Sequence, residues 1–148
     1  MVVNKMISAE QNKAVVRRFF EEAVNKGNLN VLDQVIADDF LDRNVPPGTP
    51  AGPEGVKQFL RMVRTAFPDL HVSIDDMLAE GEKVVARLTV RGTHKGELMG
   101  IPPTGRQATW GGMDIIRIAG TKMAERWGLR DFLGMMQQLG VISLPVQK

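Results

Sequence analysis

The residues best able to do chemistry lie close together near the C-terminal end, between Arg106 and Asp131. Asp114, Glu125 and Asp131 are carboxylates there, and Trp110 and Trp127 are the chain's two tryptophans. Runs rich in β-branched and apolar residues flank Gly120-Thr121, and glycine in the first place of a two-residue loop suits a type II′ hairpin turn. The turn predicts a register: Ala119 opposite Lys122, Ile118 opposite Met123, Ile116 opposite Glu125, Asp114 opposite Trp127, Gly112 opposite Leu129 and Trp110 opposite Asp131. Because strand side chains alternate, this register puts the carboxylates and both indoles on one face. A carboxylate in an apolar cavity has its pKa raised by desolvation and becomes a better acid or base near neutral pH. A slip of one residue would instead set Asp114 against Arg126 as a plain ion pair.

Other chemistries find little support. The chain has no cysteine, which removes thiolate nucleophiles and cysteine-ligated metals. His71 and His94 are its only histidines, and no glycine-rich phosphate loop, nucleophile elbow or His-Glu-x-x-His motif occurs. Carboxylate acid/base chemistry is what remains. Asp131 has a rival role, since it immediately precedes an apparent helix, DFLGMMQQLG, where an aspartate caps backbone N–H groups. Glu125 is expected to bond an arginine or a backbone donor, and the two histidines to be rim or structural residues.

The elements that must position these groups follow from periodicity. Ser8 and Gln11 have the form of a capping box, and Val15, Val16, Phe19, Phe20, Ala23 and Val24 recur at helical spacing, predicting a helix over 9–26 ended by Gly27. Phe20 sits on its core face and is a candidate pocket wall. A shorter helix is predicted over 29–36, then an extended segment and a proline- and glycine-rich loop. A third helix begins near Pro53, buries Val56, Phe59, Leu60, Met62 and Val63, and stops before Pro68. Strands are predicted over 70–79 and 83–94 around Gly81-Glu82, with Asp76 facing Arg87 and Val72 facing Arg91. The loop KGELMGIPPTGR follows, where Met99 and Ile101 are candidates to close over an apolar ligand or cover a core edge. The tail VISLPVQK is a candidate added strand or clasp on another subunit. Helices followed by strands predict an α+β domain spanning 1–148, a curved antiparallel sheet wrapped around N-terminal helices as a cone with an internal pocket.

Composition bounds the partners. The 148 residues are 43% hydrophobic and 24% charged, with a formal net charge of +2, as for an ordinary globular domain. Basic residues are spread among nearly as many acids, which argues against nucleic acid as the partner. No run of about 18 apolar residues and no signal-peptide core occurs, so no membrane partner and a cytoplasmic location are expected. The exposed sheet face, mixing Val, Ile, Ala and Arg, predicts a homodimer.

Several stretches together resemble one family. VVRRFFEEAVNKGNLNVLDQVIADDF, FPDLHV, RGTHKGELMGIPPTG and ERWGLRD, in this order, are similar to the SnoaL-like polyketide cyclases, also called ester cyclases, in the nuclear-transport-factor-like cone superfamily. The resemblance implies an intramolecular aldol closure of a polyketide ester without metal or organic cofactor. It implies an aspartate as acid/base, which by motif position is Asp131. Glu125, Asp114, Trp127, Trp110, Met99, Ile101, Phe20 and Arg43 are the expected binding residues. Arg43 and Arg126 stand where relatives often carry histidine, so a fixed charge suited to holding an ester or carboxylate oxygen replaces a neutral base. The superfamily also holds isomerases, dehydratases, epoxide hydrolases and non-enzymatic ligand binders, which stay as alternatives beside an oligomer-building module.

Overall fold

The computed structural model describes residues 2–143 and 145, and of residues 2–7 the backbone alone. Helix α1 spans Val2–Arg18 and continues as a π-helical stretch, Phe19–Asn25. It starts well before Ser8, so the predicted capping box lies inside a helix rather than at its start. The wider π turn lets the adjacent Phe19 and Phe20 both face the core, with ring centroids 4.9 Å apart, edge to face. A tight turn, Leu29–Val31, leads into α2 (Leu32–Val35) and then β1 (Ile36–Asp42). Helix α3 (Pro53–Ala66) carries proline in its first turn and ends ahead of Pro68, as its sequence demands. It buries Leu60 and Ala66, while Phe59 and Met62, both predicted on its buried face, are each 38% exposed.

Strands β2 (His71–Glu80), β3 (Lys83–Thr93), β4 (Gln107–Ala119) and β5 (Lys122–Arg130) follow, and α4 (Phe132–Gln138) closes the order. The sheet order is β1-β5-β4-β3-β2, antiparallel except that β1 runs parallel to β5. The sheet is thus mixed where sequence predicts it antiparallel. Parallel neighbours need a long crossover, which the chain between β1 and β5 provides. Helices α1 to α3 lie against one face. Val16, Phe20, Leu32, Phe40 and Phe67 pack there on Val84, Leu88, Trp110, Ile116 and Ile118, making this an α+β domain around one core. The added strand or clasp expected of the tail falls largely outside the described residues, since 144 and 146–148 are not among them.

Both hairpin turns form as predicted, with Glu80 opposite Lys83 and Ala119 opposite Lys122. Gly120 has φ 64° while Thr121 keeps a negative φ, which is the type II′ pattern. Beyond each turn, a bulge changes the register. Asp76 pairs with Arg87 as predicted, but past Asp75 it is His71 that faces Arg91, and Val72 faces Val90. In the second hairpin Ala124 is extra: Met123 and Ala124 are both buried, and turning two consecutive side chains inward takes one more residue on that strand. From Arg117 onward the predicted pairing is therefore displaced by one. Ile116 faces Arg126, Asp114 faces Gly128 and Gly112 faces Arg130.

Candidate functional site

The displaced register splits the predicted cluster between the two faces of the sheet. Trp110 and Asp114 point to the helix side, 6% and 0% exposed, whereas Glu125, Trp127, Leu129 and Asp131 belong to the other face. What gathers around Asp114 is a pair of arginines. Arg126 Nε donates to Oδ2 at 3.1 Å, and Arg130 donates from Nη1 to Oδ1 at 2.5 Å and from Nη2 to Oδ2 at 3.1 Å. Arg126 Nη1 also donates to Asp42 Oδ2 at 2.6 Å, so two carboxylates and two guanidiniums form a neutral quartet across β1, β4 and β5. Two glycines make its room. A Cβ on Gly128 would stand 2.6 Å from Asp114 Oδ1, and one on Gly112 would stand 2.5 Å from Arg130 Cδ.

Burial by itself pushes the Asp114 carboxyl up, but the hydrogen bonds and charges of Arg130 and Arg126 outweigh it and hold the group below its ordinary value. Burial likewise works against the Arg126 charge, and Asp114 with Asp42 more than restores it. A carboxylate so held, with both oxygens bonded, is a weak base. Sequence reasoning missed Asp42 and Arg130 as partners. The signal was present: with the bulge allowed, Arg126, Gly128 and Arg130 share the inward face.

On the outer face Glu125 is bonded at both oxygens, by Arg43 Nε at 2.7 Å and Arg117 Nε at 3.1 Å. The Arg43 bond and then that of Arg117 hold its carboxyl low. Trp127 lies beneath Lys83, whose Nζ is 5.4 Å from the ring centroid. Asp131 is exposed and caps α4, accepting the Gly134 N–H at Oδ1 at 2.9 Å, which is the capping role foreseen for it. Its other oxygen has no protein partner among the described residues. Asp131 also lines an open groove of about 540 Å³ with Arg87, Thr89, Gly111, Met113 and Leu129. A second open groove, about 300 Å³, lies between α1, α2 and the β4–β5 turn.

The remaining predicted residues are scattered. Phe20 is 2% exposed in the core, and Arg43 is tied to Glu125. Met99 is 65% exposed at φ 45°, and Ile101 is half-buried, bridged to Leu98. His94 is not at a rim. It is fully buried, its Nδ1 accepts the Thr104 N–H at 3.2 Å, and its Nε2 has no partner among the described residues. An unpaired buried donor costs about 1–3 kcal/mol, so the position calls for an explanation. Among the described residues, no three histidine, aspartate or glutamate side chains meet as a cation site. No described helix is long and apolar enough to cross a membrane.

Comparison with known proteins agrees with the fold. Residues 14–139 match the SnoaL-like polyketide cyclase family. Over 121 residues the chain is 31% identical to nogalonic acid methyl ester cyclase of Streptomyces nogalater, covering 80% of this chain and 90% of that protein. It is 30% identical over 129 residues to aklanonic acid methyl ester cyclase of Streptomyces peucetius, covering 85% and 88%. Among solved structures, TsrD from Streptomyces laurentii superposes with a TM-score of 0.83 at 32% identity, covering 90% of this chain and 97% of that one. With helices laid on one face of a curved five-stranded sheet and the match running through nearly all of them, the chain belongs to the SnoaL-like polyketide cyclases.

Proposed function

We propose that the chain is a cofactor-independent cyclase that closes a ring in an apolar, carbonyl-bearing polyketide ester, with Asp131 as its acid/base. Family membership and the methyl ester cyclases among its relatives support the reaction class. One observation carries the assignment of the base. Of the three carboxylates in the hairpin region, Asp114 and Glu125 have both oxygens bonded to arginines, whereas Asp131 keeps an oxygen free beside a groove.

Asp131 takes a proton from a carbon acidified by flanking carbonyls. The enolate attacks a ketone of the same molecule, forming the C–C bond and an alkoxide, and Asp131 returns the proton to that alkoxide. Met113 and Leu129, 57% and 73% exposed beside Asp131, supply apolar contact for the substrate. Water must be kept from the enolate, and the groove is open in the single chain. A second copy of the chain supplies the cover. Leu78, Val85, Ile115 and Trp127 face one another in an apolar row across β2 to β5 on the same outer face, which suits a homodimer contact.

A second reading has its own support. The space between sheet and helices is occupied by buried side chains such as Phe20, Phe67, Leu88, Trp110 and Ile116, and the inward carboxylate is locked in the quartet. That arrangement favours a catalytically silent binding or oligomer-building module. Incubating the purified chain with aklanonic acid methyl ester and nogalonic acid methyl ester separates the two. Ring closure above the uncatalysed rate is expected, and its absence with both esters supports the silent module.

A further inference from the structure

The outer face of the sheet is divided by charge. Two apolar rows cross its middle: Leu78, Val85, Ile115 and Trp127, and beside them Met113 opposite Leu129. Toward the hairpin turns, Lys83 stands opposite Arg117, and Arg117 opposite Glu125, which also holds Arg43. These three cations meet two carboxylates, Glu125 and Glu80, the latter opposite Lys83. On the far side of the apolar rows the balance reverses. Asp75 and Asp76 share Arg87, Arg91 stands beyond them opposite His71, and Asp131 makes no ion pair among the described residues.

One residue at each end fits the other. Arg117 is steered by its Nε bond to Glu125 at 3.1 Å, and neither of its terminal nitrogens has a protein partner among the described residues. At the far end Asp131 donates its backbone N–H to the Gly111 carbonyl, and Gly111 leaves the sheet bare beside it. A Cβ there would meet only the Leu88 carbonyl oxygen, at 3.8 Å. Gly111 and Arg117 lie on the same face of β4, about 20 Å apart, and the midpoint between them is also that of the two apolar rows.

A second copy laid face to face about a two-fold axis across the strands at that midpoint sets the Ile115 row on the partner's Met113 row. The same operation sets each Arg117 over the Gly111 of the other copy. An axis along the strands would instead lay cationic end on cationic end, so charge selects between the two isologous contacts. Twisted sheets touch along their middle and part toward their ends, which leaves room in the groove beside Asp131.

We infer that the groove at Asp131 is completed by a second copy of the chain, whose Arg117 holds the substrate oxygen that becomes anionic during ring closure. Arg117 gives up no proton. Asp131 takes the proton from carbon, the electron pair left behind moves onto the carbonyl oxygen, and the guanidinium N–H groups bond that oxygen and then the alkoxide formed with the C–C bond. This role rests on the reading of Asp131 as the base, whereas the seating of the two copies does not.

Two measurements test the inference separately. The chain has no cysteine, so introduced thiols report the seating alone. Arg117→Cys co-expressed with Gly111→Cys should be crosslinked by bismaleimidoethane, whose reach suits sheets packed about 10 Å apart, and neither variant should crosslink by itself. Crosslinking of Arg117→Cys to its own kind, or none in the mixture, overturns the inference. For the chemistry, Arg117→Met keeps the stem without its donors and should slow cyclisation of aklanonic acid methyl ester about 100- to 1,000-fold. Co-expressed with the impaired Asp131→Asn, it should recover about one quarter of wild-type turnover per chain, because about half the dimers are mixed and each of those holds one intact Asp131 facing an intact Arg117. If Arg117 acted within its own chain, no mixed dimer would hold an intact site. No recovery, or wild-type turnover by Arg117→Met alone, therefore overturns its role across the interface. A wild type that closes neither ester removes the reaction proposed for Asp131, and the crosslinks still decide whether Arg117 stands over the neighbouring groove.

Discussion

Replacing Asp114 by asparagine tests whether the quartet is as tightly organised as its geometry indicates. The wild-type carboxylate is fully buried and takes bonds from both Arg126 and Arg130. Asparagine keeps the shape, removes the charge and turns an amide N–H₂ toward a guanidinium. Arg126 then has Asp42 alone and Arg130 has no carboxylate, so the loss is that of a buried charge deprived of its partner, about 3–5 kcal/mol. In urea, with m of about 2 kcal/mol/M for a domain of this size, the midpoint should fall by about 1.5–2.5 M at neutral pH. The pH dependence has a definite sign. The folded Asp114 pKa lies below the ordinary aspartate value of 3.8, so its stabilisation is complete above that value and is lost only as pH falls through the depressed one. The gap between wild type and Asp114→Asn should therefore be constant from neutral pH down to the ordinary carboxylate range and close below it. A midpoint lowered by less than about 0.5 M at neutral pH, or a gap that closes on raising pH, would refute this account of the quartet.

Other outcomes follow from the same geometry. Gly128→Ala pushes a methyl group against Asp114 and Arg126 and should cost about 1–3 kcal/mol in chemical unfolding, although alanine usually favours the backbone. Asp131→Ala removes the α4 cap and should lower stability by about 0.5–2 kcal/mol, whereas Asp131→Asn, with an equally good capping residue, should change it by a few tenths at most. The chain should sediment as a dimer at about micromolar concentration, and Ile115→Glu, at a position 40% exposed in the apolar row, should yield a folded monomer. A monomeric wild type would remove the proposed cover over the groove.

Much of the fold was legible because periodicity and turn chemistry are local. Pro53 and Pro68 bracket α3, and Gly81 and Gly120 mark both hairpin turns. The parallel placement of β1 beside β5 was not, because it depends on contacts far apart in sequence. The site was misread for a more specific reason. One extra residue, Ala124, sends Glu125, Trp127 and Asp131 to the face opposite Asp114, and no turn rule reports a bulge three residues beyond the turn. The burial of Met123 and Ala124 as consecutive apolar residues was the available clue. Asp114 and Arg126 do form an ion pair, but not by the slip that would set them opposite each other: the bulge displaces the register the other way, Asp114 faces Gly128, and Arg126 reaches Asp114 diagonally. The Asp131 cap was also legible, from its position just ahead of α4.

The central claim is that Asp131 moves the proton in ring closure, and Asp131→Asn tests it most directly because the cap survives the change. Single-turnover cyclisation of aklanonic acid methyl ester should slow by about 100- to 10,000-fold in a variant whose unfolding midpoint matches the wild type. Wild-type turnover by that well-folded variant would contradict the account and send the search for the acid/base away from Asp131.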